Sequence, residues 1–160
     1  MFNSFTDQAH KAVTAAKEEA GHLNHDGVDT EHLLLALVGK RVGMAVAVLE
    51  RLGLSHEKVR LEVIKFIQPS FGTVIARDES FTARLRKAFE LAAEAAHRSG
   101  YTRIGTEHLL LGLLMEGEGV ASEVLRKLHV TVDQLQREIE ALYFLHAQFV
   151  THLARLSSSS

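Results

Sequence analysis

The chain has 160 residues, 46% of them hydrophobic, with a formal net charge of −2, which fits one globular domain or two small ones. This balance of charge argues against a nucleic-acid or anionic-membrane partner. The absence of cysteine excludes disulfides, thiol nucleophiles and thiolate metal sites. Because neither a secretory signal nor a membrane-spanning apolar run is visible, a cytoplasmic protein is predicted.

Helix-forming residues dominate the composition, and Pro69 is the only proline, so an all-α fold is predicted. A first helix is predicted over residues 6–20, where apolar residues recur at spacings of three and four. A polar, turn-like segment follows at 21–29. The second helix is predicted to begin at Thr30, a residue type suited to the N-cap position, and to end near Gly39.

Two further helices complete the first half of the chain. The third is predicted over residues 42–52, which are rich in alanine and valine, and the fourth begins after Ser55 as its cap. The residues of the fourth helix predicted to face inward are Val59, Val63, Ile64 and Ile67. Residues 68–80 are predicted to be a linker because they contain both a proline and a glycine.

The sequence Thr-Glu-His-Leu-Leu-Leu occurs at residues 30–35 and again, 76 residues later, at 106–111. A gapless alignment at this offset also places Phe81 on Phe5 and Thr82 on Thr6, and roughly a third of the aligned pairs are identical. The chain is therefore predicted to contain two tandem four-helix repeats. Repeat one covers about 5–67 and repeat two about 81–143, and together they form one domain over 1–143.

Each repeat has only about 65 residues, a size at which an isolated core is marginal. We therefore expect the two repeats to pack against each other about a pseudo-two-fold axis. A groove or a pair of pockets between the repeats is the expected binding site.

The segment 144–160 departs from the repeat. An apolar stripe continues the last helix past Tyr143, and His146 lies in its line. The stripe consists of Leu135, Ile139, Leu142, Phe149, Leu153 and Leu156. A helix over 144–156 could pack on its own domain, form a homo-oligomer or dock on a different protein. The four terminal serines are predicted to be flexible.

The doubled motif, the Phe-Thr pairs before it and Met-Glu-Gly-Glu-Gly-Val-Ala at 115–121 resemble the Clp N-terminal repeat. This repeat forms the N-domain of Hsp100 unfoldases, and the chain is similar to the ClpC branch from residue 2 to about 143. The resemblance implies two pseudo-symmetric four-helix repeats. It also implies binding of substrates and adaptor proteins, which the family passes to an attached ATPase ring for unfolding and proteolysis.

In ClpC-like N-domains the motif glutamates, here Glu31 and Glu107, are implicated in recognising phosphoarginine, a degradation mark. A carboxylate can pair with the planar guanidinium, and a helix N-terminus offers N–H donors to the phosphoryl group. The motif threonines, Thr30 and Thr106, lie beside the glutamates and can add hydroxyl donors. The resemblance thus implies a non-catalytic site for a phosphoarginine-like ligand, with no cofactor.

The chain departs from the family in three ways. It lacks a Gly-x-x-x-x-Gly-Lys-[Ser/Thr] sequence, so it is not predicted to be the unfoldase itself. Lys40 and Arg41 make the first repeat basic where the second reads Met-Glu-Gly-Glu-Gly, which predicts that the two sites differ. The tail has no counterpart in the family. We therefore favour a free-standing protein over an excised N-domain. An accessory subunit that docks on a Clp protease or unfoldase ring is the alternative function.

The motif residues also have structural interpretations. The glutamates suit the positive end of a helix dipole, the threonines suit N-caps, and the leucines suit a core. His32 and His108 are predicted to be structural, for example through hydrogen bonds across the repeat interface. No catalytic residue is predicted, because no nucleophile or second carboxylate accompanies the Glu-His pairs.

A metal site is the remaining interpretation of the histidines. His22 and His25 lie near Asp26 and Asp29, but the second repeat has no equivalent pair, since Tyr101 replaces His25. A structural zinc site usually needs four ligands. No metal is therefore predicted.

Overall fold

The structure, a computed structural model, describes residues 2–39, 43–67 and 80–159. Within these residues a 3-10 turn at Phe2–Ser4 precedes eight α-helices, and the only β-structure consists of two isolated bridges. The all-α prediction is confirmed. The helices are α1 (Asp7–His22), α2 (Thr30–Gly39), α3 (Met44–Arg51), α4 (His56–Phe66), α5 (Ala83–Arg98), α6 (Thr106–Glu116), α7 (Val120–Lys127) and α8 (Val132–Ser158).

The motif helices α2 and α6 form the centre of the protein. Their leucine runs at 33–35 and 109–111 are buried, as predicted for core residues. Helix α1 packs along α2, and α5 packs along α6 in the same way. Both motif helices are apolar on all sides because other helices surround them.

Two short backbone pairings show how the repeats are related. Phe5 pairs in parallel with Ile104, and Phe81 pairs with Val28, through N–H···O bonds of 2.7–3.0 Å. The second pairing repeats the first at the offset of 76 residues. Each repeat therefore joins its first residues to the α1–α2 or α5–α6 loop of the other, which confirms the expected pseudo-two-fold arrangement.

The third and fourth helices of each repeat pack on the opposite repeat. Helix α3 contacts α6 and α8, while α7 contacts α2 and α4. Two salt bridges mark these contacts at equivalent positions, Arg51 with Glu138 and Lys127 with Glu62. Because the cationic side chains are exposed, these pairs contribute little to stability. Their placement nevertheless repeats the two-fold relation.

Several sequence predictions need correction. Ile64, predicted to face inward, is 49% exposed, because α4 buries only Val59 and Val63. The terminal serines are not all outside the helix, since α8 continues to Ser158. Residues 40–42 and 68–79 lie outside the described residues. The predictions for the basic segment of the first repeat, the start of the third helix and most of the linker therefore remain predictions.

Helix α8 has two parts with different surroundings. Leu135 and Ile139 are buried against the rest of the domain, whereas most large apolar residues beyond Tyr143 are exposed. Among the described residues no single helix is both long and apolar enough to cross a membrane. Helices α2 and α3 are long and apolar enough only when they are taken together, and the angle between them is 85°.

Candidate functional site

The sequence predicted that the motif threonines cap their own helices, and the structure shows that they do not. Thr30 and Thr106 are the first residues of α2 and α6. Gly105 is the N-cap of α6, and the carbonyl of Asp29 accepts the N–H groups of His32 and Leu33. The prediction is wrong because the residue before each threonine already makes the N-terminal bonds: Gly105 is the N-cap, and the Asp29 carbonyl accepts the first N–H groups of α2.

Each threonine hydroxyl instead caps the third helix of the other repeat. Thr106 Oγ1 accepts the N–H of Ala45 at 3.1 Å, and Thr30 Oγ1 accepts the N–H of Ala121 at 3.4 Å. Both threonines are buried. A Cβ atom at Gly119 would lie 2.4 Å from Thr30 Oγ1, so this close approach requires glycine. The doubled Thr therefore joins the repeats.

The motif histidines have the structural role that the sequence predicted, but within their own repeat. His32 Nδ1 accepts the N–H of Asp29 at 2.8 Å, and His108 Nδ1 accepts the N–H of Gly105 at 2.9 Å. Each ring satisfies a backbone donor at its own helix start. Because Nδ1 is the acceptor, the proton of each neutral ring is on Nε2.

His25, Glu31 and His32 bring their ligand atoms within 4.8 Å of one another. This group differs from the histidine cluster considered in the sequence. His32 Nε2 lies 2.7 Å from His25 Nδ1 and donates its proton there. Burial, followed by the nearby His25, lowers the pKa of His32 to about 4. The two rings thus form a hydrogen-bonded pair, and metal binding at Nε2 would require loss of the Asp29 bond.

Glu107 is a buried carboxylate with a defined partner. It is 8% exposed, and Oε1 accepts the Tyr143 hydroxyl proton at 2.8 Å. Tyr143 also lies 3.3 Å from His108 Nε2, which donates to it. Burial, followed by the Glu107 charge, raises the pKa of Tyr143. The carboxylate packs against Gly105, where a Cβ atom would lie 2.4 Å from Oε1. The Glu107 carboxylate is therefore already engaged by side chains of its own domain.

Glu31 has no tyrosine partner among the described residues, although its own backbone N–H and the Thr30 side chain contribute hydrogen bonds to the carboxylate. Its Oε2 is buried and has no hydrogen-bond partner among the described residues. Burial, supplemented by the Asp29 carboxylate, raises the pKa of Glu31. The residue at the position equivalent to Tyr143 is Ile67, which has no hydroxyl. The first copy of the motif thus presents a carboxylate oxygen that can still accept a donor.

A pocket of about 330 Å³ lies beside Glu107. It is lined by the starts of α1, α3 and α6, including Thr6, Met44 and Thr106. Three helix N-termini therefore meet there, two from the first repeat and one from the second. First-turn N–H groups and helix dipoles favour an anion at such a place. Arg103 and Asp7 also line the pocket, and they form an ion pair at 3.8 Å, so the positive charge of Arg103 is partly balanced.

The Glu31 side is built from the equivalent elements. Asp29 Oδ1 accepts the hydroxyl proton of Thr82, the N-cap of α5, at 2.9 Å. The Thr30–Ala121 bond brings the start of α7 to the start of α2. Three helix N-termini therefore meet here as well. The charged residues differ in the sequence, because Gly27 replaces Arg103 and Arg84 is equivalent to Gln8.

The sequence predicted that the four motif residues lie at helix starts, but it did not predict which residues hydrogen-bond to them or pack against them. Tyr143, Asp29 and Gly105 decide how the glutamates are held, and none was assigned a role. A signal was present, since the alignment at offset 76 pairs Tyr143 with Ile67 and Gly105 with Asp29. Such unlike pairs within a repeat mark the positions where the two sites differ.

Comparisons with known proteins agree with this architecture. The Clp repeat (R) N-terminal domain family matches residues 4–72 and 80–157. The chain is 40% identical over 139 residues to "Negative regulator of genetic competence ClpC/MecB" of Bacillus subtilis, covering 87% of the chain but 17% of that relative.

Solved structures share the fold. The N-terminal domain of the caseinolytic protease associated chaperone ClpD from Arabidopsis thaliana superposes with a TM-score of 0.68 at 25% identity, covering 89% of this chain and 96% of that one. The ClpV N-domain in its complex with VipB peptide gives a TM-score of 0.59 at 18% identity, covering 81% and 87%. With the family match over both repeats, these findings show that the chain belongs to the Clp repeat N-terminal domain family.

Proposed function

We propose that this chain is a non-catalytic recognition module that binds protein substrates or adaptors for a Clp chaperone–protease system. We further propose that it binds phosphoarginine through the motif glutamates. Membership of the Clp N-domain family supports the general role. The ClpV N-domain, which shares the fold, has been solved in complex with a VipB peptide, and this supports a role in protein binding for this fold.

One observation carries the proposal for phosphoarginine. Each motif glutamate stands where three helix N-termini meet, and the pocket beside Glu107 is also lined by Arg103. Phosphoarginine carries a planar cation next to a phosphoryl anion. A carboxylate beside helix N-termini, whose dipoles favour an anion, matches both charges, and a guanidinium can donate to both carboxylate oxygens.

The two sites should not bind equally. At the first site a guanidinium would supply the donor that Glu31 Oε2 lacks, so binding relieves the cost of a buried, unpaired oxygen. At the second site the ligand must share Glu107 with Tyr143 or displace its hydroxyl. We therefore propose the Glu31 site as the tighter one.

The motif threonines act indirectly in this proposal. Their hydroxyls are buried against Ala45 and Ala121, which fixes the starts of α3 and α7 beside the carboxylates. Loss of either hydroxyl should therefore weaken ligand binding by moving a helix N-terminus. This role replaces the direct contact with the ligand expected from the sequence.

Calorimetric titration with phosphoarginine, free arginine and inorganic phosphate as separate ligands tests the assignment. We expect phosphoarginine to bind about tenfold more tightly than either fragment, because only it uses both charges. Glu31→Gln should weaken binding about tenfold, and the double variant with Glu107→Gln should abolish it. Glu57→Gln is the matched control, since Glu57 is an exposed first-turn glutamate of α4 outside both sites.

Unchanged affinity in the double variant would contradict the assignment of the glutamates. Absence of phosphoarginine binding, together with retained binding of an unmodified substrate protein, would remove the ligand but keep the recognition role. The variant Glu31→Asp keeps the carboxylate but shortens the side chain, so it distinguishes the effect of the charge from the effect of side-chain length. It should recover part of the affinity lost in Glu31→Gln if the carboxylate contacts the guanidinium.

A further inference from the structure

The second half of α8 presents an apolar surface that its own domain does not cover. The exposed fractions are 59% for Phe149, 48% for Leu153 and 55% for Leu156. Phe144, Leu145 and Val150 are also about half exposed or more. The segment is helical to Ser158, so these side chains are held in fixed relation to one another.

The spacing of the stripe is that of a coiled-coil seam. Steps of four and three alternate without interruption from the buried part of α8 to its end. The positions are Leu135, Ile139, Leu142, His146, Phe149, Leu153 and Leu156. A repeat of seven residues with two apolar positions keeps one seam facing a partner helix. The domain covers the start of this seam, whereas the described residues leave Phe149, Leu153 and Leu156 about half exposed.

The charges on this segment favour a second copy as the partner. Between Phe144 and Ala154 the only ionisable residues are His146 and His152, and Arg155 is the single strong charge before Ser158. Two identical segments can therefore approach without like-charge repulsion. The residues beside the seam include Leu145 and Val150, which extend the apolar face rather than select a charged partner.

The available area is also sufficient. The large apolar side chains at or beside the seam that are about half exposed, those of Leu145, Phe149, Val150, Leu153 and Leu156, present on the order of 500 Å² per copy, near the upper limit for a patch on a monomer. Pairing two copies covers about 1,000 Å², the lower end of the range for specific interfaces. The contact is thus large enough for a reversible dimer.

We propose that the protein forms a symmetric homodimer in which the 144–158 segments of two copies pack together along this seam. The interface lies on a part of α8 that takes no part in the site formed by the motif residues. Dimerisation would place two pairs of motif sites in one assembly. A protein carrying several marks could then engage more than one of them, which raises its apparent affinity.

Sedimentation equilibrium on the full chain, from low to high micromolar concentration, tests the dimer. The wild-type protein should move from monomer to dimer over this range. Phe149→Glu should weaken association about tenfold or more, because it places a charge in the apolar seam. Thr151→Glu is the matched control, since it adds the same charge two residues away on the opposite face of the helix and should leave association unchanged.

Circular dichroism of both variants checks that the domain remains folded, as expected for changes at exposed positions. A wild-type protein that stays monomeric throughout would overturn the proposal, as would a Phe149→Glu variant that dimerises normally. A monomer that co-sediments with neutral phosphatidylcholine vesicles would assign the stripe to a lipid surface and would also overturn it.

Discussion

The two copies of Thr-Glu-His-Leu-Leu-Leu have the same sequence and the same backbone position but different surroundings. Glu107 is held by the Tyr143 hydroxyl, whereas one buried oxygen of Glu31 has no hydrogen-bond partner among the described residues. The difference arises outside the motif, where Ile67 stands in place of Tyr143. A duplicated motif can therefore keep its structural residues in both copies while only the first copy has a carboxylate oxygen without a hydrogen-bond partner among the described residues.

The threonines and histidines of the motif make the same hydrogen bonds in both repeats, and their role is structural. Both threonines cap the opposite repeat, and both histidines accept the N–H of the residue before the motif helix. These bonds are needed to hold two small repeats together. The glutamates are free of this constraint, so their partners can differ without loss of the fold.

The largest expected effect concerns the feature that both sites share, the neutral capping histidine. The pKa of His32 falls from 6.5 to about 4 on folding, and that of His108 is also lowered. A depressed histidine pKa gives stability that is present above pH 6.5 and is lost as the pH falls towards 4. For His32 this amounts to about 3 kcal/mol.

Urea unfolding at several pH values measures this loss. His32→Gln should flatten the dependence between pH 6.5 and 4, because the amide oxygen can accept the Asp29 N–H without titrating. His22→Gln is the control, since His22 is exposed at the end of α1. Equal slopes for the two variants would refute the role of His32.

Gly105→Ala should break the second site selectively. The new Cβ would lie 2.4 Å from Glu107 Oε1, so the carboxylate must leave its position beside Tyr143. We expect a loss of about 2–3 kcal/mol in the free energy of unfolding. Gly39→Ala is the control, because no atom of the described residues lies within 4 Å of its Cβ position. A Gly105→Ala protein as stable as this control would contradict the packing at Glu107.

Tyr143→Phe should make the second site resemble the first. Glu107 would lose its donor while staying buried, at a cost of about 2 kcal/mol in chemical unfolding. The freed carboxylate should then bind phosphoarginine severalfold more tightly. Tyr101→Phe is the control, because it keeps the ring that packs on Tyr143 and removes only the hydroxyl of an exposed residue. It should change neither the stability nor the affinity for phosphoarginine. Weaker ligand binding by Tyr143→Phe would show that the tyrosine contacts the ligand.

Glu31→Gln should raise stability slightly at neutral pH. A raised carboxyl pKa means that the folded state disfavours the ionised form, so stability is full below pH 4.5 and falls as the pH rises through the folded pKa. Removing the charge should recover about 1 kcal/mol at pH 7 and nothing at pH 4. Thermal unfolding at the two pH values measures the difference. A less stable variant at pH 7 would indicate that Glu31 has a partner in solution.

The fold could be predicted from the sequence because the spacing of apolar residues and the duplication are both visible in the sequence itself. Helix class, the buried leucines and the pairing of repeats all followed from apolar spacing and the offset of 76 residues. The N-cap prediction failed because Thr is a common cap, and only the tertiary arrangement shows that Gly105 occupies that position and that Thr106 reaches Ala45. Contacts between residues 36 or 61 positions apart leave no local pattern.

The difference between the two glutamates is tested most directly by a phosphoarginine titration followed in ¹H–¹⁵N spectra of the wild-type protein. The amides of Thr30 and Glu31 report the first site, and those of Thr106 and Glu107 report the second. We predict that the first pair shifts and saturates at lower ligand concentration than the second. Saturation of the second pair first, or shifts in neither pair, would contradict the account.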